Sequence, residues 1–200
     1  MTKNYYNQNA KIFIENTLKA DMTKIYQRFE KYLKKGDRIL DLGCGSGRCG
    51  SGRDSLYFMN KGYDVLAVDY AEELVKSASK LLNKEVIILD MREMDFYEEF
   101  DAIWACASIL HINREDINNV IRNCEMALKN GGIFYLSFKY GDKEEWRNER
   151  FFNYYNETSF KRLIDQFSYL NIIETWKTKD VRKGREDEFW LNVIIKKMKE

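Results

Sequence analysis

Three aspartates in this chain stand within or at the end of apolar runs: Asp41 inside RILDL, Asp69 closing DVLAVD and Asp90 closing VIILD. The first run continues into GCGSGRCGSGRDS, which carries Gly43, Gly45, Gly47, Gly50 and Gly52. Five of the chain's 11 glycines thus fall within ten residues. Such a loop lets its backbone approach a ligand closely, since glycine has no side chain to block contact and tolerates positive φ. Strand, glycine loop and helix in succession present backbone N–H groups to a nucleotide or nucleoside. A carboxylate ending a second strand can accept both ribose hydroxyls, and one ending a third can accept the exocyclic amine of adenine. Hydrogen bonds to a charged group contribute roughly 1.5–3 kcal/mol each. A strand-end acid also caps a following helix, and for either acid alone both readings stay open. The two acids together, after a glycine loop, favour a nucleoside site.

The elements that must hold these groups alternate along the chain. Residues 8–34 repeat apolar side chains at helical spacing (Ile12, Phe13, Leu18, Met22, Ile25, Tyr26, Phe29, Leu33), which predicts one or two amphipathic helices. Strands are expected at 38–42, 64–69, 86–90, 100–106 and 133–138, with helices at 54–61, 71–82 and 114–129 between them. Residues 141–155 read as an irregular lid. A helix at 157–168 then leads to two strands, 170–177 and 188–196, joined by a charged turn around Gly184. Alternating helices and apolar strands predict an α/β fold with a mostly parallel sheet covered on both faces. The last two strands are joined by a hairpin-length turn, so the expected sheet has seven strands, Rossmann-like, with the final strand antiparallel. In such sheets ligands bind beyond the carboxyl ends of the strands, where Asp41, Asp69 and Asp90 fall.

Two hundred residues suggest one domain over 1–200, with a helical cap at 1–35 and the lid at 141–155. A net charge of +1 provides no global field for nucleic acid. No apolar run reaches the roughly 20 residues of a membrane span, and the N-terminus lacks a signal-peptide core. The expectation is a cytoplasmic protein with reduced cysteines. Four cysteines raise zinc, but there is no CxxC pair and only one histidine, so no metal is expected. Arg182, Lys183 and Arg185 are followed at once by Glu186, Asp187 and Glu188, the pattern of a solvated turn rather than an RNA contact.

The set DLGCGSG, then VD, then LD, then LKNGG before IFYLSF resembles the class I S-adenosylmethionine-dependent methyltransferases over nearly the whole chain. IWACASILHI, FYLSFKYG and FWLNVI are similar to small bacterial enzymes of the type 11 or tellurite-resistance-like group. The resemblance implies S-adenosyl-L-methionine as cofactor and transfer of its methyl group to a small-molecule acceptor. It implies that Asp41, Gly43, Gly45 and Gly47 face the methionine part, Asp69 the ribose, and Asp90 with Met91 the adenine, with Cys44 and Tyr70 also cofactor-binding. Tyr6 and Ala105 are expected to line the same pocket. His111, the only histidine, follows the fourth strand and stands beside the expected methyl donor, as a base or acceptor contact or as a packed helix cap. Two other readings remain. One is a non-catalytic nucleoside-binding module of the same fold. The other is an NAD-dependent oxidoreductase, because Gly45-x-Gly47-x-x-Gly50 matches the dinucleotide fingerprint.

The glycine loop also departs from the family. Residues 44–48 and 49–53 both read CGSGR, a tandem duplication where the family has a single GxGxG. The first copy keeps its spacing to the first strand, and the second keeps its spacing to Asp69. The expectation is that the first copy holds the turn and residues 48–53 bulge out.

Overall fold

The computed structural model describes residues 2–8, 21–45, 52–180, 185 and 187–199. Its centre is β1 (Arg38–Leu42), whose last four residues are buried. The strand is apolar on both faces because it is covered on both. It pairs in parallel with β2 (Asp64–Asp69) on one side and β4 (Phe100–Ala105) on the other. Beyond β2 lies β3, only Ile87–Ile88, against Val68 and Asp69. Beyond β4 runs β5 (Leu128–Tyr140), parallel to β4. β9 (Phe189–Lys197) pairs antiparallel with β5 along Ile133–Lys139, and β8 (Leu170–Lys179) pairs antiparallel with β9. The expected seven-stranded path is therefore present, in the order β3-β2-β1-β4-β5-β9-β8.

Two further strands come from the segment expected to be an irregular lid. β6 (Glu144–Arg147) and β7 (Arg150–Tyr155) form a hairpin, and Tyr154 and Tyr155 pair with the last two residues of β5. The alternation Phe152–Tyr154 with Phe151–Asn153 serves a strand as readily as a lid. Its turn uses Asn148 and Glu149, both at positive φ.

The helices are α1 (residues 2–8), α2 (Thr23–Glu30), α3 (Arg53–Lys61), α4 (Glu72–Leu82), α5 (Ile117–Ala127) and α6 (Glu157–Ile164). The helix expected over 114–129 stops at Ala127 because Leu128 already belongs to β5. α3 starts after Gly52 and ends at Gly62, both left-handed. α6 opens with a reciprocal capping box in which Asn156 accepts the Ser159 amide at 2.8 Å. Phe29 of α2, Phe58 of α3 and Trp104 of β4 meet with ring centroids 5.0–5.6 Å apart, and Trp104 stacks on Tyr135 of β5 at 4.1 Å. These aromatics fix α2 and α3 on the sheet and so fix the loop that joins β1 to α3. Among the described residues no helix is long and apolar enough to cross a membrane.

Candidate active site

The carboxyl ends of β1, β2 and β3 and the chain leaving β4 open onto one cavity of about 550 Å³. Leu42, Gly43 and Asp69 line it from the strand ends, and Tyr70, Asp90, Met91 and Arg92 from the β2 and β3 side. Ser108, His111 and Ile112 follow β4 on the opposite side. α1 contributes Lys3 and Tyr6, and the β6–β7 hairpin contributes Trp146 and Phe151.

The glycine turn is built from both ends of the duplication. Gly43 has φ 82°, and the amides of Gly43 and Cys44 both donate to Val68 O at 2.9 and 3.0 Å. The Gly45 amide donates to Asp69 Oδ2 at 2.9 Å. A Cβ on Gly45 would lie 2.7 Å from Leu74 Cβ, so α4 demands glycine there. Cys44 O then accepts the amide of Gly52 at 3.1 Å, and Gly52 caps α3. The first copy thus supplies the turn through Gly45, and the second supplies the helix start from Gly52. The expected bulge over 48–53 is corrected at Gly52 and Arg53, since both belong to the start of α3; residues 46–51, Gly47 among them, lie outside the described residues.

Asp69 is buried and lines the cavity, but it is not a bare strand-end acid. Its Oδ1 accepts the Ala71 amide at 2.8 Å while Oδ2 holds Gly45. Asp90 is chelated by Arg92, with contacts of 3.0 and 3.2 Å from Nε and 2.6 Å from Nη2. Desolvation works to raise the Asp90 pKa, but the Arg92 bonds prevail and hold it below the usual range.

Asp41 does not line the cavity. It is buried and accepts Ser55 Oγ at 2.5 Å. Burial, followed by the nearby charge of Asp54, raises its carboxyl well above the carboxylate range. Asp54, which the sequence reading missed, takes the Tyr26 hydroxyl, the Trp104 indole at 2.8 Å and Arg53 Nη2 at 2.7 Å. The available signal was an acid in the first turn of the helix after the glycine loop. Cys44 and Ala105 are also buried, and neither lines the cavity; Cys44 packs among Ala67, Val75 and Ala78.

His111 ends a 3-10 turn (Ile109–His111). Ala107, at φ 53°, turns the chain there, with its amide held by Ser137 Oγ at 2.9 Å; Ser108 Oγ donates to Leu42 O at 2.6 Å. His111 Nδ1 lies 2.6 Å from Phe151 O, and Nε2 lies 2.8 Å from the Tyr6 hydroxyl. A carbonyl can only accept, so Nδ1 carries the proton and Nε2 accepts from Tyr6. Burial, with a contribution from the Arg150 charge, pushes the imidazole down to about 4. Burial pushes the Tyr6 phenol up to about 12. Of the expected site residues, Tyr6, Gly43, Asp69, Tyr70, Asp90, Met91 and His111 come together around the cavity. Phe151 joins them from the aromatic segment 150–155, whose sequence RFFNYY could close over such a site, and Arg92, Ser108 and Trp146 join without having been expected.

The sheet is doubly wound, with a glycine turn after β1, Asp69 ending β2 and Asp90 two residues past β3. Residues 39–132 match the methyltransferase domain family. A protein of Haemophilus influenzae named "Probable S-adenosyl-L-methionine-dependent methyltransferase TehB" is 30% identical over 100 residues, 48% of this chain and 33% of that one. The first curated relatives are matched over about a third to a half of their lengths. The 1,6-didemethyltoxoflavin-N1-methyltransferase of Burkholderia thailandensis, solved with its substrate and S-adenosylhomocysteine, superposes with a TM-score of 0.77 at 16% identity, over 98% of this chain and 87% of that one. A TehB-like S-adenosylmethionine-dependent methyltransferase of Corynebacterium glutamicum gives 0.68 at 20% identity, over 98% and 97%. Residues 39–132 are thus similar to a methyltransferase domain, and the whole chain shares the fold of these solved S-adenosylmethionine-dependent methyltransferases.

The residues present fit that cofactor. The cavity volume lies within the range of small-molecule and cofactor sites. Asp69 presents a buried carboxylate to the cavity beside Gly43.

Proposed function

We propose that this chain binds S-adenosylmethionine in the β1–β4 cavity and transfers its methyl group to a small-molecule acceptor. The observation that carries the reading is the convergence of the Gly43 turn, the Asp69 carboxylate and the Tyr6–His111 pair on one cavity. The bound cofactor supplies an electrophilic methyl, and the protein's task is to position it and exclude water. Asp69 is the ribose ligand. Tyr70, 43% exposed with Lys3 Nζ 4.4 Å from its ring centroid, borders the adenosine side, together with Met91. Asp41 acts from below by fixing the start of α3 through Ser55. Tyr6 and His111 bring α1 against the chain leaving β4 and so cover the reacting corner. The substrate named for the Burkholderia structure, a small heterocycle, supports a small acceptor here.

Calorimetry with S-adenosylmethionine, S-adenosylhomocysteine and NAD tests the binding half. The first two are expected to bind and NAD is not. Binding of NAD alone overturns the reading in favour of an oxidoreductase. Methyl transfer to a metabolite panel separates an enzyme from a binding module.

A further inference from the structure

We infer that the acceptor brings its attacking lone pair ready-made: the reacting atom is an uncharged nitrogen or an ionised thiol sulfur, not a hydroxyl oxygen that the protein must deprotonate. This rests on the methyltransferase reading above and deepens it. The ground is the state of six groups that line the cavity: His111, Tyr6, Asp69, Asp90, Asp116 and Lys3. His111 has both ring nitrogens engaged, Nδ1–H on Phe151 O and Nε2 on the Tyr6 hydroxyl. Tyr6 donates its own proton to His111 and remains a phenol. Asp69 holds two backbone amides at the cofactor end. Asp90 is gripped by Arg92, and Asp116 Oδ2 sits 3.5 Å from Arg92 Nη1. Lys3 is an ammonium bonded to Glu72 at 3.0 Å.

A hydroxyl acceptor would have to give its proton to one of these groups. A phenol of ordinary acidity is near 10, so passing its proton to an imidazole held near 4 is disfavoured roughly 10⁶-fold. Asp90 is a weak base, because the Arg92 hydrogen bonds hold its carboxyl below the usual range. An amine or thiolate needs no such step. Its lone pair forms the new bond to the methyl carbon as the carbon–sulfur bond of the sulfonium breaks, with that electron pair staying on sulfur. An amine then releases its extra proton to water, and a thiolate has none to release. The walls agree: Phe151 and Trp146 meet edge to face at 5.6 Å, and with Ile112 and Met91 they offer an apolar surface to an uncharged body.

The test begins with calorimetry using S-adenosylmethionine, since absence of binding would overturn the methyltransferase reading itself. With binding established, methyl transfer to thiophenol, aniline and phenol is measured, each against its own uncatalysed rate. The accelerations for thiophenol and aniline are expected to exceed that for phenol by at least about 100-fold, the lower end of what a placed general base contributes. Equal acceleration of phenol overturns the inference, as does silence on both thiophenol and aniline. Imidazole ¹⁵N spectra of the single histidine give a readout independent of turnover. The neutral Nδ1–H form is expected at pH 7 with and without cofactor, with no protonation above about pH 5. A protonation midpoint near neutrality in the cofactor complex would restore His111 as a base and overturn the inference.

Discussion

Removing five residues anywhere within CGSGRCGSGR yields one and the same chain, so the duplication can be reversed without choosing a copy. The Cys44 O to Gly52 N–H bond at 3.1 Å closes a loop over residues 45–51. After deletion, two residues bridge the same bond. Closure entropy scaling as (3/2)RT ln n then favours the shorter chain by about 1 kcal/mol, which is roughly 2–4 °C in Tm for a protein of this size. The rest of the local structure needs no rearrangement. Gly52 already holds its left-handed cap at φ 79°, Leu56 N bonds Gly52 O at 2.8 Å, and Ser55 already reaches Asp41. Scanning calorimetry should therefore show a small rise in Tm. Titration calorimetry should show tighter S-adenosylmethionine binding, because the turn regains the spacing that the family resemblance implies. A fall in Tm, or weaker cofactor binding, would refute the reasoning and make the extra residues part of the site.

Asp69→Ala should act twice: it strands the Gly45 and Ala71 amides, at about 1–3 kcal/mol each, and it removes the ribose acceptor, so thermal melts and cofactor titrations should both fall. Normal affinity in a destabilised variant would leave Asp69 as a structural residue only. Asp54→Ala leaves Arg53 and the Trp104 indole without their buried partner, and the expected loss is about 3–5 kcal/mol, read from urea unfolding. His111 is depressed to about 4 when folded, against about 6.5 when unfolded. The unfolded chain therefore takes the proton first as pH falls. The stability tied to neutral His111 is complete above about pH 6.5 and is lost toward pH 4, by up to about 3 kcal/mol. Urea midpoints at pH 7.5 and 4.5 should fall further in the parent than in His111→Gln.

The strands of the parallel core were legible because burial on both faces writes continuous apolar runs: Arg38–Leu42 and Asp64–Asp69 stand where the pattern placed them. Errors arose where one residue type serves two elements. Val86–Asp90 is apolar enough for a full strand, but it lies at the sheet edge, where pairing reaches only Ile87 and Ile88. Asn130-Gly131-Gly132 has the composition of a turn, and Gly131 does take φ 83°, yet β5 runs through it, with a register shift against β4 between Phe100 and Ala102. The charged residues of 141–155 concealed a hairpin because its outward face is solvated and its inward face is aromatic.

For the site, sequence located the carboxylates but not their company. Asp41, Asp69 and Asp90 share one local pattern and have three different partners. In β1 successive side chains point to opposite faces; Leu42 lines the cavity and Asp41 meets Ser55 of α3 instead. Asp69 ends β2 where the glycine turn and the start of α4 both present amides, so its two oxygens are bound by backbone before any ligand arrives. Asp90 precedes an arginine two residues on that folds back to grip it. None of these partners follows from the spacing of the acids, because each is brought in by a different neighbour: a helix, a crossover turn and a local chelate. The same holds for His111. A lone histidine after the fourth strand invites the role of a base. Its tautomer, and with it the chemistry open to it, is set by Phe151 and Tyr6, 40 and 105 residues away in the chain.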